Sequence, residues 1–136
     1  MDIGRMKDQH VQILTSISDL RELAHAGVAQ NAAHIARELK AMGGVIVTHL
    51  AAEDRVLYPS MKKQPNQELV RLCQQYQDEM SDLASAFKHF SHHWTNVSEI
   101  ERHPEQFREE ANVVMKKLHT RIRRENTELY PVVEAL

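Results

Sequence analysis

The chain has 136 residues, one cysteine, nine histidines and a net charge of −2, enough length for one domain with a real core and no general pull toward nucleic acid. No apolar run approaches the roughly 20 residues of a membrane span, and Met1–Asp8 lacks the apolar stretch of a signal peptide. The lone Cys73 excludes an internal disulfide framework and fits a reducing compartment, so a cytoplasmic location without nucleic-acid or membrane partners is expected.

Apolar residues recur at alternating steps of three and four, the mark of amphipathic helices that bury one seam. The first segment reads Ile3, Met6, His10, Ile13, Ile17, Leu20, Ala24, with Gly27 near the first turn. The second reads Ile35, Leu39, Met42, Ile46, His49, Glu53, Val56, and Pro59 is expected to end it. Gly43-Gly44 inside this segment marks a close helix contact or a slight kink. Pro65 lies in the next loop, and Asn66 offers an N-cap. The third segment reads Leu69, Cys73, Tyr76, Met80, Leu83, Phe87, Phe90, Trp94. Pro104 suits the first turn of the fourth, which reads Phe107, Ala111, Val114, Leu118, Arg121, Glu125, Leu129, Val132; Pro131 is expected to end or kink it. Four long segments with short connections predict a single all-α domain over residues 1–136, an up-down-up-down four-helix bundle.

One phrase occurs twice. His49-Leu50-Ala51-Ala52-Glu53-Asp54-Arg55-Val56-Leu57-Tyr58-Pro59 reappears 72 residues later as Arg121-Ile122-Arg123-Arg124-Glu125-Asn126-Thr127-Glu128-Leu129-Tyr130-Pro131. Glu, Leu, Tyr and Pro keep their offsets, while His49 becomes Arg121.

A bundle seam should be apolar, because burying charge is costly without a partner or a metal. This seam contains His10, His49, Glu53, Arg121 and Glu125. His49 and Glu53 stand four apart, one turn along the same helix face. Histidine and glutamate pairs on facing helices are how bundles assemble carboxylate metal sites. A mixed nitrogen and oxygen donor set suits iron, zinc or manganese without choosing among them.

At these residues the chain resembles the hemerythrin-like HHE cation-binding domain family over nearly its full length. The family's pattern is a histidine on the first helix, His-x-x-x-Glu on the second, a histidine on the third and His-x-x-x-Glu on the fourth, often followed by Leu-(Tyr/Phe)-Pro. The resemblance implies His10, His49, Glu53 and Glu125 as metal ligands. It also implies iron, in a centre that normally holds two ions. Dioxygen or nitric oxide binding, sensing, iron handling or repair after oxidative and nitrosative stress are the activities it suggests.

The other two histidine positions depart from the pattern. The third-helix window holds Met80, Ser81 and Asp82, of which the seam selects Met80, and the fourth-helix position is Arg121. His119 should point away from the seam, and His25, His34, His89, His92, His93 and His103 are expected to be exposed. Three readings stay open. One ion is held by His10, His49, Glu53 and Glu125, with the Arg121 guanidinium standing in for a second cation. Alternatively Arg121 and both glutamates form a metal-free charge cluster. In the third, Ile122 takes the seam while Arg121 reaches solvent. Two ions would require a further, unrecognised ligand.

Binding is expected rather than catalysis, because the sequence has no nucleophile–base pair, phosphate-cradling glycine loop or zinc-finger cysteine spacing. A small diatomic ligand suits a metal site with an open position. A metal-free bundle would instead act through a homodimer or a regulatory protein partner. Phe90 and Trp94, within the His89–Trp94 stretch, fit the seam better than a contact patch.

Overall fold

The computed structural model describes residues 2–136. Helix α1 spans Gly4–Gly27, α2 spans Ala32–Ala52, and the short α3 spans Tyr58–Lys62. Then follow α4 (Gln67–His93), α5 (Val97–Arg102), α6 (Pro104–Arg124) and α7 (Tyr130–Glu134). Gly27 ends α1 at φ +139°, a backbone that residues with a Cβ rarely adopt. Asn66 caps α4 by accepting from the Glu68 and Leu69 amides. The unforeseen α5 begins the same way, with Asn96 accepting from the Ser98 amide. At six residues it is too short for a periodic signal.

The four long helices form an antiparallel square in which α1 meets α2, α2 meets α4, α4 meets α6 and α6 meets α1. His10, early in α1, reaches His49, late in α2. Gly43 faces Phe87, whereas Gln77 bonds Asp54, so α2 and α4 also run in opposite directions. Trp94, just past α4, packs edge-on to Phe107 near the start of α6. The Gly43 Cβ position lies 3.7 Å from the Phe87 ring, whereas Gly44 has open space beside it. Only Gly43 therefore serves the helix contact.

Pro59 does not end its helix, contrary to the expectation from sequence, and at Pro131, expected to end or kink its helix, the helix is likewise interrupted but continues. Before each, the helix widens by one residue into a π turn, Glu53–Leu57 and Glu125–Leu129. The Tyr58 and Tyr130 amides donate five residues back, to the Glu53 and Glu125 carbonyls. The wider turn absorbs the missing proline donor, and α3 and α7 continue the same two rods. The extra residue also shifts the seam by one place. Leu57 and Val133 are buried where Val56 and Val132 were expected, and both of the latter are exposed.

Two apolar clusters fill the bundle. One contains Ile13, Ile17, Ile35, Leu39, Met42, Ile46, Phe87, Phe90, Trp94, Phe107, Leu118 and Ile122 among others. The other gathers Ile3, Met6, Leu57, Tyr58, Cys73, Tyr76, Met80, Leu129 and Tyr130. Along α1, α2 and α6 the change from one cluster to the other falls at the polar seam residues, so a charged layer separates two apolar ones. Helix α4 contributes Met80 and Leu83 at this level and no buried charge. Among the described residues, no helix is long and apolar enough to cross a membrane.

Candidate metal centre

The π turns set the site's depth. Each begins at a buried glutamate and ends just before a buried tyrosine, so Glu53 and Tyr58 on one rod, and Glu125 and Tyr130 on the other, all face inward. In an uninterrupted helix those tyrosines would be turned out of the seam, five residues being 140° past a full turn.

His10, His49, Glu53 and Glu125 converge at the layer between the two apolar clusters, each at most 3 % exposed. One donor atom from each lies within 4.8 Å of all the others. His10 Nε2 stands 2.8 Å from Glu125 Oε1 and 3.0 Å from His49 Nε2. His49 Nε2 stands 3.3 Å from Glu53 Oε1 and 3.4 Å from Glu125 Oε1.

The far sides of both imidazoles are engaged. His10 Nδ1 meets Asn126 Oδ1 at 2.7 Å, and His49 Nδ1 meets Gln9 Oε1 at 2.9 Å. An amide oxygen only accepts, so both Nδ1 atoms carry the proton and both Nε2 lone pairs point at the same spot. Glu53 Oε1 is buried there with no hydrogen-bond donor. Two bare imidazole nitrogens beside two carboxylate oxygens are mutually repulsive unless a cation or a proton lies between them. The donor set therefore fits a metal ion.

Arg121 points into the bundle, which overturns the reading in which it reaches solvent. It is 7 % exposed, and Ile122 beside it is buried as well, in the larger apolar cluster. Its Nε donates to Glu125 Oε2 at 3.0 Å and its Nη2 to the Tyr58 hydroxyl at 2.6 Å. The guanidinium also stacks on the Tyr76 ring, with Cζ 4.4 Å from the ring centre. Farther out, Arg124 holds Glu79 at 2.6 Å, and Glu79 lies 3.8 Å from Arg121 Nη1. Met80 is buried in the apolar cluster with Tyr58 and Tyr76 and brings no nitrogen or oxygen donor.

The electrostatics follow from these neighbours. With both carboxylates ionised and both imidazoles neutral, two carboxylates and one guanidinium would carry one net negative charge in a buried layer. Burial alone would lower the His49 pKa, but the hydrogen bonds and charges of Glu125 and Glu53 outweigh it and push it up to about 9. Glu53 is pushed up to about 8 by burial and by the Glu125 charge. Burial acts the same way on Glu125, yet bonds from His10, His49 and Glu53 and the Arg121 charge hold it well below the usual carboxylate range. Burial and the two glutamates also raise the Tyr130 phenol.

The remaining histidines stay out of the site, as expected. His25, His34, His89, His92, His93 and His103 are exposed, and His119 borders a 310 Å³ cavity between α1 and α6. Four participants escaped sequence reasoning. Gln9 and Asn126 carry no periodic signal, being chain neighbours of His10 and Glu125. Tyr58 and Tyr130 stood in the repeated phrase, but the direction of their hydroxyls depends on the π turns.

Comparison with curated proteins and with solved structures yields no match. The family model described as hemerythrin HHE cation binding domain matches residues 1–133. With the helical bundle and the converging histidines and glutamates already in place, the match is conclusive: the chain belongs to the hemerythrin HHE cation-binding domain family.

Proposed function

We infer that this protein binds a single non-haem iron ion through His10, His49, Glu53 and Glu125, and senses or responds to dioxygen, nitric oxide or iron through that site. The observation that carries this reading is the pair of Nε2 atoms 3.0 Å apart, each with its Nδ1 taken by an amide oxygen. Such an arrangement pre-orients two imidazole Nε2 atoms toward one cation. The spacing is compatible with iron and does not by itself choose it over zinc. Around an ion with bonds of about 2.1 Å, neighbouring donors stand roughly 3.0 Å apart at right angles and roughly 3.4 Å apart in a tetrahedron. The two His10 separations, 2.8 and 3.0 Å, match the right-angled case, and the two His49 separations, 3.3 and 3.4 Å, match the tetrahedral one.

One ion is favoured over two because Arg121 and Met80 stand where the family's other two histidines belong. The guanidinium already neutralises the second face of Glu125. A ferrous ion would supply a coordination position for a small diatomic ligand. Reversible dioxygen carriage, which relies on two irons, is correspondingly disfavoured, and sensing gains.

Elemental analysis after anaerobic reconstitution with ferrous iron tests this directly. One iron per chain, lost in His49→Ala, is expected, together with a spectral change when nitric oxide is added. Two irons would reveal an unrecognised ligand and restore di-iron chemistry. No iron would leave a proton on His49 as the layer's counter-charge and turn attention to a homodimer or a regulatory protein partner.

A further inference from the structure

The two repeated tyrosines have unequal partners. Tyr58 Oη accepts from Arg121 Nη2 at 2.6 Å and is thereby tied to the arginine half of the layer. Tyr130 Oη lies in the histidine half, 3.2 Å from His10 Nε2 and 3.2 Å from Glu53 Oε2. Its ring stacks on His10, with centres 4.9 Å apart and planes 13° apart, and the residue is fully buried. The distance from its oxygen to His10 Nε2 falls within the 2.8–3.4 Å that separate neighbouring donors of the cluster. Tyr130 Oη thus borders the same donor cluster, touching two of its four residues, although its residue type is outside the His and Glu pattern.

We propose, resting on the single-ion reading above, that Tyr130 is a fifth protein ligand and binds ferric iron as a phenolate. The bond formed joins iron to Oη, and the bond broken is O–H. The proton passes to Glu53 Oε2, which Tyr130 already faces as donor. No electron moves, because the ion is supplied as ferric iron. The negative field of the two glutamates opposes ionisation of this phenol in the metal-free layer; a trivalent ion reverses that field locally. An anionic oxygen is a suitable donor for a hard cation. Five protein donors leave about one position of a six-coordinate ion for an exogenous molecule. Tyr130 therefore determines how much of the ion is open.

The test loads the full chain with ferric iron and records iron content, visible absorption and resonance Raman spectra. A phenolate-to-iron charge-transfer band with tyrosinate ring modes is expected at one iron per chain. Tyr130→Phe should lose the band and keep the iron. Should Tyr130→Phe not fold, the Tyr58→Phe/Tyr76→Phe double variant leaves Tyr130 as the sole tyrosine; a retained band supports the assignment and a lost band overturns it. One iron per chain without the band, or a band surviving Tyr130→Phe, sinks the Tyr130 assignment alone. Absence of iron from every form sinks the metal reading itself.

Discussion

Arg121 Nε donates to Glu125 Oε2 at 3.0 Å, the same four-residue spacing at which His49 Nε2 faces Glu53 Oε1 at 3.3 Å. The repeated phrase therefore places a nitrogen against a carboxylate in both halves of the bundle, but one nitrogen belongs to a titratable imidazole and the other to a permanent cation. Glu125 is shared between them. Its Oε1 faces the histidines and its Oε2 faces the guanidinium. The second half thus carries a permanent cation where the first carries an imidazole nitrogen.

Removing that charge should be costly. Arg121→Met would leave Glu125, 1 % exposed, without its guanidinium. Breaking one partner of a buried pair costs about 3–5 kcal/mol. Urea denaturation of the metal-free variant is expected to show a loss of that size. Stability within about 1 kcal/mol of the parent would mean that Glu125 does not depend on Arg121.

Restoring the family's ligands should restore the second site. In Met80→His/Arg121→His, two imidazoles would replace a thioether and a guanidinium at positions buried on α4 and α6. Iron content is expected to rise to two per chain, and no gain would indicate that α4 at Met80 does not face Glu125 closely enough to share an ion.

The metal-free chain should weaken as pH rises. His49, with an ordinary pKa of 6.5, is pushed up to about 9 because the bonds and charges of Glu125 and Glu53 outweigh the lowering by burial. A group whose folded pKa lies above its unfolded value stabilises fully below the unfolded pKa and loses that contribution as pH rises through the folded one. The window here runs from 6.5 to about 9, and the loss is on the order of 3 kcal/mol. Glu53, raised to about 8 by burial and by Glu125, acts with the same sign. Bound metal removes the His49 proton from the folded state, so the loaded chain should instead gain stability up to the unfolded pKa and then level off. Urea titrations at stepped pH, with and without metal, give the two slopes. A flat metal-free profile would show that His49 holds no proton.

Helix positions and the four converging polar side chains are legible in the sequence because a polar residue in an apolar stripe stands out, and His10, His49, Glu53 and Glu125 each interrupt one. Two kinds of feature are not legible. The direction of Arg121 depends on a hydroxyl 63 residues away, Tyr58, that receives its second donor. The one-residue shift beyond Glu53 and Glu125 depends on a π turn, which a fixed 3.6-residue period cannot represent. Val56 and Val132 fit that period as well as Leu57 and Val133 do. Proline at 59 and 131 is the local clue, since an α-helix would need its missing amide.

The shifted register makes a sharp prediction about neighbours in the chain. Leu57 is fully buried with Tyr58, Tyr76 and Leu129, whereas Val56 is 51 % exposed. Leu57→Ala removes buried methyl groups and leaves a cavity beneath the polar layer, at a cost of about 2–5 kcal/mol. Val56→Ala touches surface and should stay within roughly 0.5 kcal/mol of the parent. Chemical denaturation of the two variants, metal-free, separates the alternatives. If Val56→Ala proved the more damaging, the helix would continue through Glu53 without widening, and Tyr58 would be turned away from Arg121. The inward placement of Tyr130 by the matching turn would then lose its support as well, because both tyrosines depend on the same extra residue.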